Sequence, residues 1–201
     1  MKQSVGVPPH PRPWPKGNHY DKSLLENGDY RNVEDKYRYW SVEAIKNDMS
    51  STASDVEVAI ENWQHDFNIG TIVRNANAFN VKKVHIIGKR QWNRRGAMVT
   101  DAYLTIEHHP TVEDFIKSVQ DKTIIAVDTY DDAISIADVD LPKKAVFVFG
   151  GEGPGLSRDM VDRADFMIKI PQFGSTRSVN VGVASGIVLY KWAEVHRILD
   201  I

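Results

Sequence analysis

The chain contains no cysteine, which excludes a disulfide framework, a thiolate metal site and a cysteine nucleophile together. Long apolar runs are missing too. Stretches such as Ala145 to Phe149 and Ile187 to Tyr190 fall far short of the roughly 20 residues that a bilayer-spanning helix needs. The amino end has no apolar core of a signal peptide, so a cytoplasmic protein without a membrane partner is expected. Charge of one sign is also scarce, with a formal net charge of −2 over 201 residues. Coating a polyanion through bulk positive charge is thereby excluded, and any contact with nucleic acid must come from a local basic patch. No internal repeat is visible.

Proline, by contrast, is concentrated at the start. Val7-Pro8-Pro9-His10-Pro11-Arg12-Pro13-Trp14-Pro15 cannot form a helix or a central strand and reads as an arm. With Asn32 as N-cap, Val33 to Met49 reads as a helix, and Ser50 to Ser54 as a linker. These segments define an N-terminal extension over residues 1–54, ahead of a folded domain over residues 55–201. In the domain, strand-like Val56–Ile60, Val84–Ile87 and Thr123–Val127 alternate with helical Ile69–Phe79 and Val112–Val119. Strands Ala145–Phe149 and Phe166–Ile170 follow, then a helix from Val179 to Ile198. The alternation predicts an α/β fold, a mostly parallel sheet flanked by helices.

Four segments carry candidate chemistry. Ile69, Ile72, Val73, Ala76 and Phe79 form one apolar stripe, and Arg74 lies just off it beside Thr71 and Asn75. Asn68 precedes that helix and equally suits a plain N-cap, just as Arg74 suits an exposed helix surface. The loop Phe149-Gly150-Gly151-Glu152-Gly153-Pro154-Gly155-Leu156-Ser157 follows an apolar strand, where glycines let backbone approach a ligand closely. Its spacing matches neither a dinucleotide fingerprint nor a P-loop. Glu152 would repel a phosphate, so a neutral or cationic ligand such as S-adenosylmethionine, with its sulfonium, fits better. In the third segment, Ile170-Pro171 through Ser178-Val179-Asn180-Val181, Ser178 or Thr176 also suits capping of the last helix, where Gly182 and Gly186 suit tight packing. The fourth, Lys89-Arg90-Gln91-Trp92-Asn93-Arg94-Arg95, follows a strand. It reads either as a solvated loop or as a phosphate clamp of Lys89, Arg90, Arg94 and Arg95 with Trp92 stacking on a base.

In their order, the first three segments resemble the three sequence motifs of the SpoU family, the TrmH-like RNA 2′-O-ribose methyltransferases of the SPOUT superfamily. Asn68-Ile69-Gly70-Thr71-Ile72-Val73-Arg74 resembles motif one, Phe149 to Ser157 motif two, and Ile170 to Val181 motif three. The likeness spans residues 55–198. One departure is Asn80, where the family usually has glycine, and asparagine tolerates the left-handed conformation.

The resemblance implies methyl transfer from S-adenosylmethionine to a ribose 2′-hydroxyl of tRNA or rRNA, a C-terminal trefoil knot and a homodimer with sites near its interface. By motif match, Asn68, Arg74, Glu152, Ser178 and Asn180 take the catalytic positions. Phe149, Gly150, Gly151, Gly153, Leu156, Ile170, Pro171 and Val179 take those that enclose the donor, and no metal is implied. A non-catalytic RNA-binding module of the same fold is the alternative, but it would have no use for Arg74, Glu152 and Asn180 together. A nicotinamide-dependent oxidoreductase, suggested by the glycine loop, lacks the acidic residue that would hold a ribose.

Overall fold

A computed structural model describes residues 6–64, 68–151 and 153–198. The chain forms two compact units, Met1–Thr52 and Ala53–Ile201.

In the first unit the proline-rich stretch is packed rather than trailing. The His10 amide donates to the carbonyl of Leu25 (2.8 Å), and the Tyr39 hydroxyl donates to the carbonyl of Pro8 (2.6 Å). Two helices follow. Helix α1 (Lys22–Asn27) is capped by the Asp21 carboxylate and α2 (Val42–Ser51) by the Ser41 hydroxyl. The helix expected from Val33 therefore begins nine residues later. Asn32 is not its cap, because Tyr39 takes a left-handed φ of 63° that breaks any continuous helix, and Ser41 supplies the acceptor for the first turn.

Asp29 organises this unit. Its fully buried carboxylate accepts from Arg31 Nε (2.8 Å) and Nη2 (2.6 Å), and from the backbone amides of Arg31 (3.1 Å) and Tyr39 (2.9 Å). Burial alone would raise its pKa. The bonds from Arg31 and the two amides outweigh that and lower it to about 2.

The second unit is a seven-stranded, wholly parallel sheet. Its strands are β1 (Ser54–Asn62), β2 (Val81–Gly88), β3 (Ile106–His109), β4 (Thr123–Val127), β5 (Ile134–Ser135), β6 (Ala145–Phe149) and β7 (Phe166–Lys169), in the spatial order β3-β2-β1-β6-β4-β7-β5. Strands β1, β4 and β6 lie inside the sheet and are buried on both faces, as parallel strands must be. On one face, α4 (Val112–Ser118) and α5 (Arg158–Arg163) press Phe115 and Met160 onto Ala59, Ile87, Val146 and Val148. Burying either side chain contributes roughly 1.5–3 kcal/mol. Alternation sends Val58, Ile60, Val84 and Ile86 to the opposite face, left to α3 (Ile69–Ala78) and α6 (Val181–Ala193), which pack on each other. Helix α6 starts two residues later than expected and passes into a wider helical turn over Glu194–Ile198. Asn80 does take a positive φ, 48°. No helix among the described residues is long and apolar enough to cross a membrane.

The lowered pKa of Asp29 fixes a pH dependence. Its ionised form stabilises the folded unit above the unfolded value near 3.8, and that stability is lost as pH falls through about 2. Asp29→Asn should cost about 2 kcal/mol near neutral pH, read by urea unfolding with tryptophan fluorescence. The gap between parent and variant should close as pH falls through that window. A gap independent of pH would assign the loss to packing instead.

Candidate active site

The C-terminal ends of β4, β6 and β7 meet the start of α6 around a cavity of about 410 Å³. In an open parallel sheet this is where ligands bind. Its walls are the Val127-Asp128-Thr129 strand end, the glycine loop after Phe149, and the segment from Ile170 to Val181.

The glycine loop is tight because it must be. At Gly150 an added Cβ would lie 2.1 Å from the carbonyl carbon of Gly155, so only glycine lets the loop close on itself. Two carboxylates, the buried Glu61 and the half-buried Asp128, then hold it. Glu61, at the end of β1, accepts from the Ser157 amide (2.6 Å), the Ser157 hydroxyl (2.6 Å) and the Trp63 indole (2.8 Å). Ser157 in turn caps α5 through Met160 N (3.2 Å). From β4, Asp128 accepts from the Leu156 amide (3.0 Å) and the Thr129 amide (2.7 Å).

Motifs one and three meet through a single side chain. The Asn180 Oδ1 accepts from Gly182 N (2.9 Å) and Val183 N (3.3 Å), capping α6, while its Nδ2 donates to Asn68 Oδ1 (2.9 Å). Neither Ser178 nor Thr176 is the cap; Thr176 instead donates its hydroxyl to the carbonyl of Ser178 (3.0 Å). Nor does the Asn68 side chain cap α3. Behind this junction Asn75 donates to the Gly182 carbonyl (2.8 Å) and to Ser185 Oγ (2.9 Å). Gly182 is needed there, since a Cβ would meet Thr71 Cγ2 at 2.8 Å.

Of the residues singled out by sequence, Phe149, Gly150, Gly151, Gly153, Ile170, Ser178, Val179 and Asn180 line the cavity. Leu156 is buried behind it and Pro171 is exposed beside it. Glu152 lies outside the described residues. Arg74 is exposed on α3, off the cavity wall, and makes no hydrogen bond or ion pair with the described residues.

The wall residues that escape a reading of the sequence include Asp128, Gln172 and Arg177. Asp128 has a faint signal, as a carboxylate directly after a strand. Arg177 sits inside motif three as a lone cation. Gln172 Oε1 is buried without a hydrogen-bond partner among the described residues. A buried acceptor left unpaired costs about 1–3 kcal/mol, and a ligand donor would relieve it.

The basic loop is anchored from the neighbouring strand. Asn62, fully buried at the end of β1, donates from Nδ2 to the carbonyls of Lys89 (2.6 Å) and Gln91 (2.9 Å). Lys89, Arg90 and Arg95 are exposed. Arg94 is already engaged, over the Trp92 ring at 5.5 Å and with Asp101 at 3.4 Å.

Comparison with known proteins bears on this geometry. The family model described as "SpoU rRNA Methylase family" matches residues 55–190. The tRNA (guanosine(18)-2'-O)-methyltransferase of Escherichia coli strain K12 is 28% identical over 142 residues, which are 68% of this chain and 62% of that protein. The chain thus spans less than two thirds of that relative's length. The Thermus thermophilus enzyme of the same name is 29% identical over 144 residues, 68% of this chain and 73% of that one. Among solved structures, the A. aeolicus TrmH/SpoU tRNA modifying enzyme superposes with a TM-score of 0.68 at 25% identity, covering 79% of this chain and 86% of its own. The AdoMet-bound rRNA methyltransferase of Sinorhizobium meliloti, at 22% identity and a TM-score of 0.63 over 73% of this chain and 60% of its own, shares the fold. The order of the three motifs, the meeting of the second and third around one cavity with the first tied on through Asn68 and Asn180, and the match across residues 55–190 place this chain in the SpoU family of RNA methylases.

Proposed function

We propose that the protein is a cytoplasmic RNA methyltransferase that transfers the methyl group of S-adenosylmethionine to a ribose 2′-hydroxyl of tRNA or rRNA. The observation that carries this reading is the junction of Asn68 with Asn180 at the rim of a glycine-walled cavity. It brings the acceptor-side motif to the donor-side motif. The relatives are named for the same reaction on tRNA.

The cavity fits the donor by its chemistry. Its wall is largely backbone, with Asp128 as a carboxylate toward cationic groups and the unpartnered Gln172 oxygen as an acceptor. Gly150, Gly151 and Gly153 leave room, and Phe149, Ile170 and Val179 offer apolar surface to a purine. Leu156 and Pro171 support that wall from behind and beside it. S-adenosylmethionine supplies an electrophilic methyl on a sulfonium.

The chain's own part is positioning, which lowers a barrier by fixing near-attack geometry. Asn180 and Asn68 hold each other and present amide groups at the rim, and Ser178 adds a hydroxyl. Arg74 orients the ribose hydroxyl and a neighbouring phosphate, serving as a hydrogen-bond donor and fixed cation. Glu152 completes the donor loop. Lys89, Arg90 and Arg95 clamp the RNA backbone, with Arg94 and Trp92 beside them. The return of the chain from β7 past the glycine loop to α6, which packs on α3, supports the knotted topology that the family implies. Helix α6 is apolar on all sides, and Val183, Ile187 and Tyr190 are exposed next to a second, apolar cavity of about 440 Å³. A helix of that kind is normally covered, which supports a homodimer through this face with the sites near its interface.

Arg74→Ala should lower turnover by roughly 100-fold or more while S-adenosylmethionine affinity by titration calorimetry stays within a few-fold. Gly150→Ala should do the reverse and abolish donor binding in folded protein. Near-parental methylation by Arg74→Ala would remove that residue from the reaction, and preference for NAD over S-adenosylmethionine would overturn the whole reading.

For RNA, the double change Lys89→Ala with Arg95→Ala should flatten the dependence of log affinity on log salt by about 1.4–1.8, at about 0.7–0.9 per lost phosphate contact. Arg94→Ala alone should change it less, because Asp101 already neutralises part of its charge. Equal slopes would return the loop to a solvated turn.

Ile187→Asp should halve the solution mass measured by light scattering. A parent that is already monomeric would refute the pairing.

A further inference from the structure

On the far edge of the sheet from the donor cavity, the described residues contain a second cluster that methyl transfer does not use. We propose that His85, Glu107 and His109 form a binding site for one divalent transition-metal ion of the zinc class, clipping the edge strand β3 onto β2. This rests on geometry independent of the methyltransferase reading.

The donor atoms already converge. His85 Nδ1 and His109 Nε2 face each other at 2.8 Å. Glu107 Oε2 lies 3.9 Å from the first and 4.0 Å from the second. Tetrahedral zinc, with bonds of about 2.0–2.1 Å, sets its donors about 3.3–3.4 Å apart. The two nitrogens need to part, and the oxygen to approach, by roughly half an ångström each. Parallel pairing makes this possible, since His85 lies opposite Glu107 and Ile87 opposite His109, which puts all three side chains on one face.

The outer shell is that of a metal site. Glu57 Oε2 lies 2.9 Å from His85 Nε2. A carboxylate there places the ring proton on Nε2 and leaves the Nδ1 lone pair toward the cluster, the arrangement that orients metal-bound histidines. Lys122 pairs with the other oxygen of Glu57 at 3.6 Å. The Phe115 ring meets both imidazoles edge-on and closes the apolar side. Two imidazoles and one carboxylate favour zinc, nickel or cobalt over magnesium or calcium. Glu107, with its side chain 40% exposed, opens the route from solvent.

Lys83 opposes the ion. Its Nζ holds Glu107 Oε1 at 2.7 Å, and a dication would repel it. Being partly exposed, Lys83 can swing to solvent, so its removal should favour the metal.

The test uses the full chain without a histidine tag, stripped by chelator and titrated with zinc chloride by calorimetry, with cobalt absorption as a second reading. The parent should bind one ion per chain, more weakly at about pH 6 than at about pH 7.5 because the ligands must be deprotonated. His109→Gln and Glu107→Gln should each weaken binding by at least about 10-fold, and Lys83→Met should tighten it several-fold. Glu107 is half-exposed, so its variant folds even if the histidine variant does not. Absence of stoichiometric uptake by the folded parent, or parental affinity in Glu107→Gln, would overturn the site. Failure of Lys83→Met to tighten binding would overturn the shared-carboxylate geometry.

Discussion

One side-chain amide, that of Asn180, is what the site depends on. Its oxygen satisfies two amides at the start of α6 and its nitrogen reaches Asn68 at the entry to α3. Each task constrains the other. A serine or aspartate would cap the helix as well, but an ionised aspartate has no proton to donate to Asn68, and a serine has one oxygen on a shorter side chain for both tasks. The two helices would still pack through Asn75 and Gly182, yet the rim of the cavity would lose the bond that sets the spacing between its two sides. Because a hydrogen bond weakens steeply once its angle departs from linearity, that spacing is fixed by direction as well as by distance.

The floor of the cavity is held in a different way. The glycine loop has few side chains with which to brace itself, so its shape is imposed by neighbours in the sheet. Glu61 reaches from β1 and Asp128 from β4, and each accepts backbone amides of the segment leaving the loop. A loop that approaches itself as closely as Gly150 approaches Gly155 has little freedom once both ends of this bracket are tied. The shape of the cavity floor thus rests on carboxylates at the ends of strands that are far away in sequence.

Much of this is legible in the sequence, and what is not has physical causes. Thr123–Val127 and Ala145–Phe149 stand out as apolar runs because helices cover both faces of those strands. The strand Ile106–His109 has no such pattern: Glu107 and His109 point to a partly buried face, where Lys83 and His85 answer them, and no local rule reveals that. The start of α2 falls later than its pattern suggests because nothing in Tyr39 announces a positive φ. Ser178 looks like a helix cap because position and residue type allow it, while Asn180, two residues on, has both the acceptor and the better geometry. Motif order recovers the glycine wall and Asn68 with Asn180. Asp128 and Gln172 join them only through folding, since a cavity wall assembled from three strand ends has no counterpart in linear spacing.

The grip of the Asn62 side chain on the loop after β2 involves only backbone carbonyl oxygens, those of Lys89 and Gln91. Every amino acid carries that group. The path of the loop is therefore indifferent to the side chains strung along it, which can be exchanged without moving the backbone that displays them. A scaffold built this way separates the path of an exposed loop from the chemistry displayed along it, so the charge and shape of this surface can drift in a few exposed positions while the rim of the cavity stays as it is.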